Sequence, residues 1–187
     1  MSILVDWQIR DYIKKGAIGI DPFNENYIQP NSLDVTLSDT FARHRNYCEE
    51  FPIDPYVEDH DIVVTRCRAP LMTVATNDFV LGSTRETISL PDDIVACIEG
   101  KSSLARLGLQ IHQTGGWIDA GFSGQVTLEL YNVSNRPIVL TAGMPIAQIV
   151  FFETEHCEVP YGMKKDAKYQ GQTGPTPSRY HMNARFC

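Results

Sequence analysis

Short apolar runs of period two, cut apart by Asn, Gly and Pro, commit this chain to sheets rather than helices. Leu33-Asp34-Val35-Thr36-Leu37 alternates, and so do parts of Phe79–Leu81, Ile94–Ile98, Val126–Leu130 and Ile146–Phe152. Between them stand Gln29-Pro30-Asn31, Pro70, Asn77-Asp78, Pro91-Asp92-Asp93, Asn135-Arg136-Pro137 and Ala142-Gly143, residues that turn a chain or interrupt a ladder. Many short strands at close spacing predict an all-β sandwich or barrel. Only the start reads as a helix. Asp6 is placed to cap it, Ile9, Tyr12 and Ile13 share one face, and Gly16 is placed to end it. A second short helical stretch is expected within Ser102–Leu109.

At 187 residues the default is one domain with its own core. No repeat or linker divides it. Residues 162–187 differ in composition, being rich in Gly, Lys and Gln with few core residues. They read as a tail of the same domain: a lid, a docking arm or a disordered end. No apolar run reaches membrane-spanning length, so no membrane partner is expected. Charges interrupt the N-terminal stretch where a signal peptide needs apolar residues, so a cytoplasmic protein is expected. The formal charge of -7 opposes binding to nucleic-acid backbones. A small anionic ligand needs only local positive charge and is not excluded. The five cysteines, Cys48, Cys67, Cys97, Cys157 and Cys187, form no C-x-x-C pair and read as reduced thiols, most of them as buried small hydrophobes.

Chemistry concentrates in residues 99–131. In Gln125-Val126-Thr127-Leu128-Glu129-Leu130-Tyr131, Val126, Leu128 and Leu130 share one strand face, and Gln125, Thr127, Glu129 and Tyr131 share the other. If the second face lines a cleft, Glu129 is a partly desolvated carboxylate suited to general acid/base work. If it faces solvent, it is an ordinary strand glutamate. Lys101-Ser102-Ser103 and Arg106 offer two cations and two hydroxyls at a strand-to-turn junction. They suit phosphate oxygens, or they form a polar surface turn. The Gly-Lys-Ser string is not a P-loop, because Val95 occupies the position of its upstream glycine. Gly115-Gly116 lets backbone approach a ligand, and Asp119 just beyond is placed for a sugar hydroxyl or for a plain turn.

His156-Cys157-Glu158 matches the H-x-E of zinc deaminases, but no P-C-x-x-C occurs, so zinc is not expected. The other histidines, His44, His60, His112 and His181, make no metal spacing.

Taken together, Glu99 through Leu109, Ile118 through Gly124 and Thr127 through Leu130 resemble the core of the dCTP deaminases, in the trimeric dUTPase superfamily. Further matches are Asp21-Pro22-Phe23, Gln29 through Val35, Phe79 through Thr84, Gly143 through Gln148, Pro160-Tyr161, Lys168 through Gln172 and Gly174 through Ser178. The resemblance implies a dUTPase-like β fold over residues 1–161, with 162–187 as a lid. It also implies a homotrimer with shared active sites and hydrolytic deamination of dCTP without zinc.

By the same resemblance, Glu129 is the general base and proton shuttle. Ser102 and the carbonyl of Gly115 orient the attacking water, and Arg106 positions Glu129 and the base. Asp119 holds the 3'-hydroxyl, and backbone near Thr127 reads the pyrimidine edge. Lys101, Ser103, Gln148, Tyr161, Lys168 and Gln172 gather the triphosphate, which carries Mg²⁺. Leu104, Ala105, Trp117 and Leu128 complete the implied nucleotide contacts.

Members that release dUTP tend to carry His-Arg before the Ile-Asp, whereas members that continue to dUMP carry Gly followed by Trp or Phe. Gly116-Trp117 places this chain with the second group. Gly115 stands where alanine is usual, so the site is expected to tolerate 5-methyl-dCTP and to meet dTTP as a simple competitor. The competing readings are a single-step deaminase releasing dUTP, a dUTPase alone, and a non-catalytic nucleotide-binding trimer.

Overall fold

The computed structural model describes residues 2–43, 53–58 and 65–183. His44, Cys48, His60 and Cys187 lie outside these residues. The expectation of sheets holds throughout. Helix α1 (Asp6–Lys14) is followed by β1 (Gly19–Asp21), β2 (Ile28–Gln29), β3 (Ser32–Thr36), β4 (Thr40–Arg43), β5 (Thr65–Arg68) and β6 (Leu71–Val74). Two longer strands, β7 (Phe79–Ser89) and β8 (Ile94–Gly100), lead into the one-turn helix α2 (Ser102–Ala105). Then come β9 (Leu109–Gln110), β10 (Trp117–Ile118), β11 (Ser123–Asn132), β12 (Ile138–Thr141) and β13 (Pro145–Glu153).

The strands form two main antiparallel sheets. One runs β5-β4-β7-β11-β9, with β1 also on β7; the other runs β10-β8-β13-β3-β2. β6 and β12 pair separately. One apolar cluster joins the sheets. Val80, Ile88, Leu128 and Leu130 come from the first, and Val35, Ile94, Ile98, Ile149 and Phe151 from the second. Burial of these side chains is the dominant favourable contribution to folding.

Helix α1 buries Ile9 and packs Tyr12 and Ile13 against this cluster, as its periodicity predicts. Its start differs from the expectation. Val5 is the capping residue and Asp6 the first helical one. The Val5 N–H donates to the Gln8 side chain at 3.0 Å, and Asp6 instead places its charge at the positive end of the helix. Gly16, at φ +71°, supplies the left-handed exit.

Two departures from simple alternation shape the surroundings of the chemistry. All five residues of β3 are buried, including Asp34. In β11 the register against β7 shifts between Gln125 and Thr127. There the Val126 N–H goes to the Thr84 hydroxyl at 2.9 Å instead of to a ladder carbonyl. Such bulges re-aim side chains beside functional sites.

The cysteines also depart from expectation: Cys67 is exposed, and Cys97 and Cys157 are half-buried. They sit on an edge strand, at an intermediate sheet position and in a loop, where a small side chain is not enclosed.

Candidate active site

Glu129 faces a cavity. The residues of β11 beyond the bulge, together with the loop before β10 and the tail, enclose about 530 Å³, within the usual range for small-molecule sites. Gly115, Trp117, Asp119, Thr127, Glu129, Tyr161 and Gln172 all line it, so seven of the residues predicted from sequence come together here. The cleft reading of Glu129 therefore replaces that of a solvent-facing strand glutamate.

The loop from Ile111 to Gly116 holds Glu129 from its backbone. The Glu129 N–H donates to the Ile111 carbonyl at 2.9 Å, and one carboxylate oxygen accepts the Gln113 N–H at 2.8 Å. The Gln113 side chain returns to the Glu129 carbonyl at 3.2 Å. The carboxylate is thus oriented, with lone pairs left for a substrate or water.

The two glycines of this loop serve different ends. A Cβ built on Gly115 meets nothing within 4 Å, so the position opens onto free space. A Cβ on Gly116 would lie 2.9 Å from the Ile98 carbonyl oxygen and 3.3 Å from the His112 ring. Gly116 is therefore fixed by close approach to β8, reinforced by the hydrogen bond from the Ile98 N–H to its own carbonyl at 2.8 Å. His112, 24% exposed, lies behind the loop with Nε2 3.8 Å from Glu99. Trp117 forms part of the cavity wall, stacked on Phe152 with ring centroids 5.8 Å apart.

The tail folds along β11. The Gln125 N–H donates to the Gln172 carbonyl at 3.0 Å and the Gly171 N–H to the Ser123 carbonyl at 2.7 Å. The Gln172 side chain reaches the Gln125 carbonyl at 2.8 Å. The Thr176 N–H donates to the Thr127 hydroxyl at 3.1 Å. Tyr169, Thr176 and Ser178 join the lining. Residue-by-residue chemistry does not single these three out; the signal for them is the family match of the tail. Val126 also lines the cavity. The alternation places it on the core face, where it packs against the apolar cluster, and beside the bulge it also borders the cavity.

Other predicted residues stand elsewhere. Ser102, Ser103, Ala105 and Arg106 are exposed on or beside α2 and do not line the cavity. Leu104 packs towards the core. Leu128 is fully buried and does not line the cavity. Lys168 turns away: its ammonium bonds the Asn183 side chain and lies over the Tyr180 ring. Lys101 pairs with Asp34 at 2.6 Å, and Gln148 accepts from the Ser32 hydroxyl at 3.4 Å. As a result, the lining carries two acids, Asp119 and Glu129, and no Lys or Arg among the described residues.

The His156-Cys157-Glu158 tripeptide contributes nothing to this cavity. His156 Nδ1 lies 2.9 Å from Asp92 Oδ1, and the two form a group with Asp93 whose ligand atoms fall within 4.8 Å of one another. Asp92 draws the exposed imidazole above its ordinary pKa, by hydrogen bond first and by charge second, with Asp93 adding to it.

Similarity to known proteins agrees with this geometry. The chain is 53% identical over 185 residues to "dCTP deaminase, dUMP-forming" of Methanosphaerula palustris, with 98% of each chain covered. It is 48% identical over 185 residues to the protein of that name from Mycobacterium sp. strain KMS, with 97% of each covered. The solved 2'-deoxycytidine 5'-triphosphate deaminase from Agrobacterium tumefaciens superposes with a TM-score of 0.63 at 25% identity, over 80% of this chain. This chain spans 46% of that one's length. The model of the dCTP deaminase-like family matches residues 3–154, and on that match and these identities the chain belongs to the dCTP deaminase-like family.

Proposed function

We propose that the protein hydrolyses dCTP to dUTP and ammonia and carries the product on to dUMP and pyrophosphate. The observation that carries the chemistry is Glu129, oriented by a backbone N–H and facing a nucleotide-sized cavity beside Asp119 and Gly115. Water adds at C4 of cytosine as Glu129 takes its proton and returns it to N3. The amino group then leaves with a second proton passed through the same carboxylate. Ser102 and the Gly115 carbonyl orient the water, Arg106 sets Glu129 against the base, and Asp119 holds the 3'-hydroxyl. The dUMP-forming step is supported by the names of the relatives at about half identity and by Gly116-Trp117 in place of His-Arg.

The same reading assembles the site from copies of this chain in a homotrimer. Two carboxylates without a cation repel a triphosphate, yet Lys101, Ser102, Ser103 and Arg106 are displayed outside the cavity. A neighbouring copy supplies them, and Arg106 brings the planar fork that phosphate oxygens favour. Magnesium enters as part of the substrate, chelated by the phosphates. The enzyme acts in the cytoplasm. Incubation with dCTP and Mg²⁺ followed by separation of products tests the function: dUMP and pyrophosphate are expected. Release of dUTP alone removes the second step, and unchanged dCTP removes the reading.

A further inference from the structure

Asp34 is nearly sealed from solvent, 7% exposed on a strand whose five residues are all buried. A carboxylate in such a place is unfavourable unless it is paired. Its Oδ2 accepts from Lys101 Nζ at 2.6 Å and from Gln29 Nε2 at 3.2 Å. Its Oδ1 is buried and has no partner among the described residues. On the neighbouring β13, Gln148 stands directly opposite Asp34, and the buried Ser32 holds the Gln148 side chain. β2 and β3 thus form a bracket behind two side chains, Lys101 and Gln148, that the family resemblance assigns to the triphosphate. None of Asp34, Ser32 and Gln29 has a part in that assignment.

We propose that Asp34 is a positioning residue for the phosphate end of the nucleotide, acting through Lys101. The inference rests on the reading of Lys101 as a phosphate contact. A free lysine is a point charge on a flexible four-carbon stem, and ordering it on binding costs rotamer entropy. The buried carboxylate orders it beforehand. The ammonium has three donors; Asp34 takes one, leaving the others for phosphate oxygens. Because the pair is neutral as a whole, it offers directed N–H groups rather than bare charge. It therefore favours a triphosphate already partly neutralised by its cation.

The test is calorimetric binding of dCTP with Mg²⁺ to the full chain carrying Glu129→Gln, so that the nucleotide is not turned over, alone and with Asp34→Asn, Lys101→Met or both. Thermal unfolding of each serves as a control for folding. Asp34→Asn is expected to weaken binding on the order of tenfold, the loss typical of one charge-assisted hydrogen bond. Steady-state kinetics with Glu129 intact should place the change in KM, with kcat little altered. In the Lys101→Met background the Asp34 substitution should add nothing.

If Asp34→Asn alone does not fold because it leaves the Lys101 ammonium without its carboxylate, the comparison of Lys101→Met with the double variant still decides. Weaker binding by the double overturns the proposal, because Asp34 then acts independently of Lys101. Unaltered binding by Lys101→Met overturns it too, by removing Lys101 from the phosphates. Failure of the parent to turn dCTP over sinks the proposed reaction instead, and the binding comparison still reads the link between Asp34 and Lys101.

Discussion

The cavity beside Glu129 and the corner around Lys101 draw on adjacent stretches of sequence, but the chain completes them differently. At the cavity, one chain supplies the acid, the backbone that orients it, the aromatic wall and the tail that covers it. At the corner, α2 displays Ser102, Ser103 and Arg106 to solvent, and only Lys101 and Gln148 are anchored from behind. The acid and its orientation are set within one chain, whereas Ser102, Ser103 and Arg106, to which the proposed function gives the water, the base and the phosphates, are presented outward. That division suits a site closed by a second copy. It implies that loss of Glu129 strikes turnover alone, whereas damage to the corner strikes turnover through Ser102 and Arg106 as well as binding through Lys101 and Ser103.

The sharpest way to break this contrast is Glu129→Gln. The amide keeps the shape and the contact with the Gln113 N–H but cannot accept the proton of water. Deamination should fall by about 10²–10⁴-fold or more, with dCTP binding retained. Near-normal turnover would remove Glu129 from the mechanism. Deleting residues 162–187 comes next. It takes away Gln172, Thr176 and the main-chain bonds along β11, and leaves the cavity wet. Triphosphate binding should weaken by roughly 1.5–3 kcal/mol for each charge-assisted bond lost, and turnover should nearly vanish while sedimentation still reports a trimer. A monomer would show that the tail belongs to assembly rather than to the cavity.

Gly115→Ala sharpens the comparison within the cavity itself. The added methyl meets no protein atom within 4 Å and projects into open space. It should lower kcat/KM for 5-methyl-dCTP more than for dCTP, by about 10–200-fold in the ratio. An unchanged ratio would mean that this position does not face C5 of the base. The smallest effect lies outside both regions, at His156. Its pKa is raised in the folded protein by Asp92, so the pair stabilises the fold below the unfolded value, and the contribution is lost as pH rises through the raised one. His156→Ala should therefore lower the melting temperature slightly at about pH 5 and leave it unchanged at about pH 8. The reverse order would show that the pair does not favour the protonated imidazole.

Much of this arrangement is legible in the sequence. Period-two alternation identifies the long strands, and the lone acid in β11 marks the chemistry, because a strand fixes which face each side chain takes. Three features are not legible there, each for a physical reason. Asp34 occupies a polar slot in the alternation, and its burial depends on Lys101 arriving from the end of β8, a long-range pairing that local pattern does not contain. The bulge beside Val126, where one hydroxyl, Thr84, accepts a strand N–H, leaves no mark in the alternation. The tail looks solvated by composition, yet Pro175 and Thr176 are buried. Main-chain hydrogen bonds to Ser123 and Gln125 hold it down, and these leave no apolar signature. Converting Gly116-Trp117 to His-Arg looks harmless in sequence, but the Ile98 carbonyl leaves no room for a side chain at Gly116.

The bulge in β11 has a mechanical consequence. The strand is the rail on which the tail is fastened, at Ser123 and Gln125 upstream of Val126 and at Thr127 downstream, and it is also the mount for Glu129. Both functions share one rigid beam, with the break at Val126 as its joint. A tail lifted from this strand gives up hydrogen bonds on the same element that carries Glu129.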